Sequence, residues 1–216
     1  MTAPIEFWFD FSSPYAYFAA NEIEERLKRF RRPILWRPFL LGVAFRETGM
    51  GPISQAPLRG RYAIHDCRRI AGMLDLPFNL HEDFPFPSQA LARAFYWLEA
   101  RSLETATNFA KAAFATYFGV GHDLREPEAV IALATEFTDR PDLLVEWLGD
   151  EKAKRVLRER TAEALSKGVF GSPFVLVDGE PFWGWDRLPM VEAWLEPPVG
   201  LAKARGELAA ADESVR

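Results

Sequence analysis

The hydrophobic pattern of this 216-residue chain changes period twice, and no other feature of it narrows the fold as far. Ile5-Glu6-Phe7-Trp8-Phe9-Asp10-Phe11 alternates with a period near two, as does a strand with at least one apolar face. It runs into Ser12-Ser13-Pro14, after which Tyr15, Phe18, Ala19, Ile23 and Leu27 recur at helical spacing as far as about Phe30. Proline suits the first helical position, where its missing N–H would have had no partner. Pro33 then precedes a second short strand, Ile34-Leu35-Trp36-Arg37-Pro38-Phe39. Residues 5–39 are therefore predicted as a βαβ unit with parallel strands.

A loop rich in Gly and Pro is expected from Gly42 to Pro57, and from Leu58 to about Leu165 only helical patterns occur. Ile64, Cys67, Arg68 and Ala71 share one predicted face. Leu91, Phe95 and Leu98 share another behind Ser88 as a candidate cap, and the stripe from Ala106 through Phe109, Ala110, Ala113 and Phe114 to Tyr117 is the longest. Pro127 and Pro141 suit first helical turns, and Gly149 and Gly168 suit helix C-termini. The β pattern returns in Pro173-Phe174-Val175-Leu176-Val177 and passes through Asp178-Gly179, a strong hairpin signal, into Glu180-Pro181-Phe182-Trp183. A helix over about Arg187 to Leu195 closes the unit. The expectation is an α/β fold whose strands 5–11, 33–39, 173–178 and 180–184 share one sheet. Residues 1–57 and 166–196 would form one discontinuous domain, 58–165 an all-helical insertion, and 197–216 an Ala-rich, charged and poorly ordered tail.

Composition removes several classes of function. A 49% hydrophobic and 14% aromatic chain is not a disordered one, and the aromatic surplus suggests aromatic-lined cavities. With 31 acidic against 26 basic residues it has no global positive field for a phosphate backbone, so no nucleic-acid partner is expected. Arg29-Phe30-Arg31-Arg32 and Arg68-Arg69 read as solvated helix faces. No apolar run approaches the roughly 18 residues that span a bilayer, and a cytoplasmic, reducing compartment fits best. Cys67 is the single cysteine, which excludes an internal disulfide and a Cys-x-x-Cys pair, and its place on the apolar side of a helix reads as core. His65, His81 and His122 lack the spacing of a metal site, and no metal is expected.

Three segments, Phe9-Asp10-Phe11-Ser12-Ser13-Pro14-Tyr15-Ala16-Tyr17, Gly168-Val169-Phe170-Gly171-Ser172-Pro173 and Phe182-Trp183-Gly184-Trp185-Asp186-Arg187, resemble in order the 2-hydroxychromene-2-carboxylate isomerases and the kappa-class glutathione transferases. Those families belong to the DsbA-like branch of thioredoxin folds, so the resemblance implies a thioredoxin-like fold with a large helical insertion between its βαβ and ββα halves. It covers about residues 5–195. It also implies glutathione as cofactor, a homodimer, and a small aromatic-derived α-keto acid or related electrophile as substrate.

In DsbA-like oxidoreductases the turn that opens the first helix carries Cys-x-x-Cys; here Ser13-Pro14-Tyr15-Ala16 resembles that stretch, with both sulfurs gone. A helix N-terminus favours an anion, and glutathione would supply the missing thiolate beside Ser13. Read by itself, Ser13 is equally a helix N-cap. Pro173 resembles the cis-proline of thioredoxin folds, which would leave Ser172 N–H and C=O for the cysteine residue of glutathione; otherwise it is a trans proline opening a strand. Asp186 would take the γ-glutamyl ammonium, or cap the last helix, or both. Trp185 stands where the family has a small polar residue, so only its backbone contact carries over. The resemblance also points to Ser54 or Gln55, in place of an Asn, and to Arg59, in place of a Lys, near the second substrate; a surface arginine is the plain alternative. Asp10 reads as a turn-capping acid at the end of the first strand.

Overall fold

The computed structural model describes residues 3–196, so the expected tail at 197–216 lies outside the described residues. Four strands, β1 (Ile5–Phe9), β2 (Ile34–Pro38), β3 (Phe174–Val177) and β4 (Glu180–Trp183), form one mixed sheet in the order β2-β1-β3-β4. Helix α1 (Pro14–Leu27) crosses from β1 to β2, which pair in parallel with Ile5 opposite Ile34. β3 runs antiparallel to both neighbours, with Val175 between Phe7 on one side and Phe182 on the other. The β3–β4 turn places Asp178 at φ 55° and Gly179 at φ 89°, the two positive values a two-residue hairpin of matching twist requires.

Between β2 and β3 come α2 (Leu41–Thr48), α3 (Arg59–Met73), α4 (Gln89–Glu99), α5 (Leu103–Phe114), α6 (Pro127–Thr135), α7 (Pro141–Gly149) and α8 (Glu151–Ser166); α9 (Leu188–Leu195) follows the sheet. No described residue of this block adds a strand, as the patterning predicts.

Several local expectations needed correction. The segment Gly42–Pro57 is not a plain loop: it holds most of α2 and a 3-10 turn at Ile53–Gln55. Arg68 is exposed, and α3 buries Ala63, Cys67, Ile70 and Ala71 instead. Ser88 makes no side-chain cap; its carbonyl accepts from Ala92 N–H. Gly149 is the last residue of α7 and Gly168, at φ 77°, follows the end of α8, both at helix C-termini as expected. Strand β1 also stops at Phe9 because the Asp10 carboxylate takes the Ser12 N–H at 2.8 Å and turns the chain.

Both faces of β1 are buried. Phe7 and Phe9 face α1 and the inserted helices, and the rings of Phe9 and Phe114 lie 5.6 Å apart, those of Phe11 and Phe109 6.3 Å. Trp8 points the other way, into a smaller cluster with Phe39, Ala44, Val169 and Phe174. One continuous core therefore joins the sheet to the insertion.

Candidate active site

The C-terminal end of β1 and the first turn of α1 meet the loop that enters β3. Ser13 sits at the N-cap of α1 in extended conformation, and its Oγ accepts from Ala16 N–H at 3.2 Å. The same hydroxyl donates to the Ser172 carbonyl at 2.9 Å, so Ser13, only 5% exposed, joins the two segments directly. The Ser172–Pro173 bond is cis, as the resemblance implies. Ser172 Oγ in turn accepts from Asp10 N–H at 2.8 Å. The expectation that both backbone groups of Ser172 stand free therefore needs correcting: its C=O is engaged by Ser13.

Asp10 organises this corner. One carboxylate oxygen takes Ser12 N–H and Ser12 Oγ–H, both at 2.8 Å, and the other takes Leu41 N–H at 2.8 Å, which caps α2 from 31 residues away. A buried carboxylate with three donors is well satisfied. It is the turn-capping acid that its position implies, and it serves a second helix as well.

Beside Ser13 opens a cavity of about 840 Å³. Its walls come from the α1 turn, the Phe170–Pro173 loop, the segment from α2 to α3, and the Phe84–Pro87 loop. Trp183 lies over Gly171, where a β-carbon would fall 2.1 Å from the indole nitrogen; only glycine admits that contact. A β-carbon at Gly60 would fall 2.3 Å from the Ser54 carbonyl, so the start of α3 packs closely on the 3-10 turn. Ser54 Oγ is buried without a hydrogen-bond partner among the described residues, and Ser54 and Arg59 both line the cavity. Gln55 is exposed and does not.

Trp185 and Asp186 line the cavity on the far side of Ser13. The Trp185 indole N–H donates to Glu22 of α1. Asp186 makes no side-chain cap to α9 or to the turn preceding it, contrary to one of its expected roles; its carboxylate pairs with Arg187 at 2.8 Å and is 61% exposed.

Sequence reasoning passed over Tyr15, although its place two residues beyond the N-cap puts it in the same first turn. It lines the cavity, and its hydroxyl lies 3.4 Å from Asp66 Oδ2. Burial above all, then the neighbouring Cys67 and Asp66, pushes the Tyr15 phenol well above its ordinary range, so it is a proton donor at neutral pH. Burial likewise pushes the Cys67 thiol up to about 12, against the opposing hydrogen bond from Tyr15. Cys67 is therefore a protonated wall of the cavity and no substitute for the absent redox sulfurs. Among the described residues no three His, Cys, Asp or Glu side chains converge as metal ligands, and no helix is long and apolar enough to cross a membrane.

A strand–turn–helix facing a cis-proline loop across a four-stranded sheet, with helices inserted between β2 and β3, defines the thioredoxin class of folds. Residues 4–196 match the DSBA-like thioredoxin domain, and the chain belongs to that family. It is 28% identical over 197 residues to the 2-hydroxychromene-2-carboxylate isomerase of Sphingobium xenophagum, which covers 90% of this chain and 99% of that relative. Over 207 residues it is 26% identical to glutathione S-transferase kappa 2 of Caenorhabditis elegans, covering 90% of this chain and 92% of the relative. The solved structure of a 2-hydroxychromene-2-carboxylate isomerase matches the fold with a TM-score of 0.77 at 23% identity over 98% of both chains. The relatives are thus isomerases and glutathione transferases, and the resemblance read from three motifs holds.

Proposed function

We propose that the protein is a glutathione-dependent isomerase of the 2-hydroxychromene-2-carboxylate type, acting on a small aromatic-derived α-keto acid or related electrophile. The observation that carries the reading is the Ser13–Ser172 hydrogen bond at 2.9 Å: a hydroxyl at a helix N-terminus, facing a cis-proline loop, where redox relatives hold a cysteine. The residues fit glutathione. Ser172 N–H and C=O can pair with the peptide backbone, Asp186 can take the α-ammonium, and the cavity leaves room for a second molecule.

When bound, glutathione supplies a thiolate that adds to an activated double bond and leaves after rotation about the resulting single bond. Ser13 has one proton, now given to Ser172 C=O. A peptide N–H at that carbonyl would replace it, and the Ser13 hydroxyl would then be free to donate to a bound sulfur with no buried acceptor left bare. Lowering a thiol pKa from roughly 8.5 to 6.5 takes about 2.7 kcal/mol, within reach of a hydrogen bond to an anion at a helix terminus. The thiolate fraction at pH 7 rises from roughly 3% to about 75%, but intrinsic nucleophilicity falls nearly tenfold, about threefold net. Aiming the sulfur and easing its departure account for the rest, which suits a nucleophile that must leave. Tyr15, a neutral donor on the cavity wall, is suited to an oxygen that gains charge when the double bond is attacked.

The kappa-class relative favours a second reading, transfer of glutathione to an electrophile. Mass spectrometry of the products separates the two: an isomerase returns substrate mass unchanged with glutathione recovered, and a transferase yields the adduct. Absence of glutathione binding in calorimetry would refute both and leave a non-catalytic thioredoxin-fold binding module. The reading carries with it a cytoplasmic homodimer, checked by fractionation and by light scattering.

A further inference from the structure

Trp185 adjoins the carboxylate assigned above to the γ-glutamyl ammonium, yet its indole lies back against α1. The indole N–H donates to Glu22 Oε2, and the ring meets Phe18 edge-on at 6.4 Å. The other Glu22 oxygen pairs with Arg26 at 2.9 Å, and Arg26 reaches Glu192 of α9 at 2.8 Å. Glu22 is only 18% exposed, so this is a part-buried, charge-assisted contact and not a loose surface pair.

On the other flank, Gly184 N–H donates to the Pro173 carbonyl at 3.0 Å. Gly184 has φ 115°, and a β-carbon there would lie 2.6 Å from Asp186 Oδ1, so the Asp186 carboxylate folds back over it. Among the described residues the Asp186 side chain bonds only its exposed neighbour Arg187. Its place in the site is therefore set by the two anchors that flank it, Gly184 on the cis-proline loop and Trp185 on α1.

We infer that Glu22 is a positioning residue for recognition of the γ-glutamyl ammonium: by holding the Trp185 indole on α1, it fixes Asp186 relative to Ser13. Glu22 lies nine residues along α1 from Ser13, about 13 Å of helix axis. One rigid helix thus sets the spacing between the group that meets the sulfur and the group that meets the ammonium. In this chain the bulky Trp185 provides that link through its ring nitrogen.

The inference rests on the glutathione reading, and the test separates the two. Calorimetric titration with glutathione and with cysteinylglycine, which lacks the γ-glutamyl group, is carried out on the wild type, Glu22→Ala, Glu22→Gln, Trp185→Phe and Glu22→Ala/Trp185→Phe. Trp185→Phe removes the indole N–H together with the five-membered ring and keeps an aromatic ring near Phe18, so the melting temperature of each variant is measured alongside, and the two Glu22 variants, which leave the indole in place, keep the test decisive. Glutathione affinity is expected to fall about tenfold in Glu22→Ala and in Trp185→Phe, to recover largely in Glu22→Gln, whose amide oxygen still accepts, and to fall no further in the double variant. Cysteinylglycine affinity stays level throughout. Equal losses for both ligands, additive losses, or unchanged glutathione affinity would overturn the role of Glu22. A wild type that binds cysteinylglycine as tightly as glutathione would instead overturn the assignment of Asp186, and one that binds neither would overturn the glutathione reading itself.

Discussion

The single hydroxyl of Ser13 makes two hydrogen bonds, and stability and turnover read them differently. It caps α1 through Ala16 N–H and reaches Ser172 C=O, so Ser13→Ala should lower stability by about 1 kcal/mol through the lost cap. Under the proposed function, glutathione still binds while turnover falls by more than the roughly threefold that thiolate formation alone explains. Thiolate absorbance of the bound tripeptide against pH should report a higher pKa in the variant; unchanged pKa and turnover would reduce Ser13 to a cap. Asp186→Asn should weaken glutathione binding about tenfold with the melting temperature unchanged, because the side chain caps no backbone N–H and its partner is the exposed Arg187. Equal affinities in a titration of both proteins would remove Asp186 from the site.

Elements whose signals are local were legible in the sequence, and those fixed from a distance were not. The Asp178-Gly179 hairpin and the Pro14 helix start are encoded in adjacent residues, and the structure has both. Helix α2 escaped notice because Gly42, Gly49, Gly51 and Pro52 mark a loop, while its N-terminal cap is supplied by Asp10, just beyond β1. The candidate site divides in the same way. Ser13, Ser172 and Pro173 lie in recognisable motifs, whereas Trp185's tie to Glu22 spans 163 residues and leaves no local trace. Asp10→Ala therefore has an element-scale consequence: it strips acceptors from Ser12 and Leu41 N–H together. Unfolding by urea should show a loss of roughly 2–4 kcal/mol. A loss under about 1 kcal/mol would mean that water replaces the carboxylate at both helix starts.

At the scale of the molecule, burial raises the proton affinity of several groups at once. Tyr15, Tyr17, Tyr96 and Tyr117 all have phenols pushed above the ordinary 10.0, Tyr117 to about 12, and Cys67 moves from 9.0 to about 12. In each case the folded state holds the proton more tightly than the unfolded chain. The stabilisation is complete below the unfolded values of 9.0 and 10.0 and is lost as pH rises through the folded ones. Urea midpoints should hold between pH 7 and 8.5 and fall steadily from about pH 9 upward; a midpoint unchanged at pH 10.5 would contradict the burial of these groups.

The shared aromatic core of β1, α4 and α5 also constrains how this family member can change over generations. Phe9 ends β1 and Phe11 lies in the turn that leads to Ser13, and their partners Phe95, Phe109 and Phe114 belong to the insertion. A substitution on that inner surface disturbs the fold and the Ser13 turn together, and selection meets it as one defect. Change in what the cavity accepts is thereby steered to its outer wall at the 3-10 turn Ile53–Gln55, whereas the Phe84–Pro87 loop is tied to the same core through Phe86, which stacks on Tyr117 at 4.0 Å. Variant libraries directed at that turn would retain folded members at a far higher rate than libraries of equal size directed at α5.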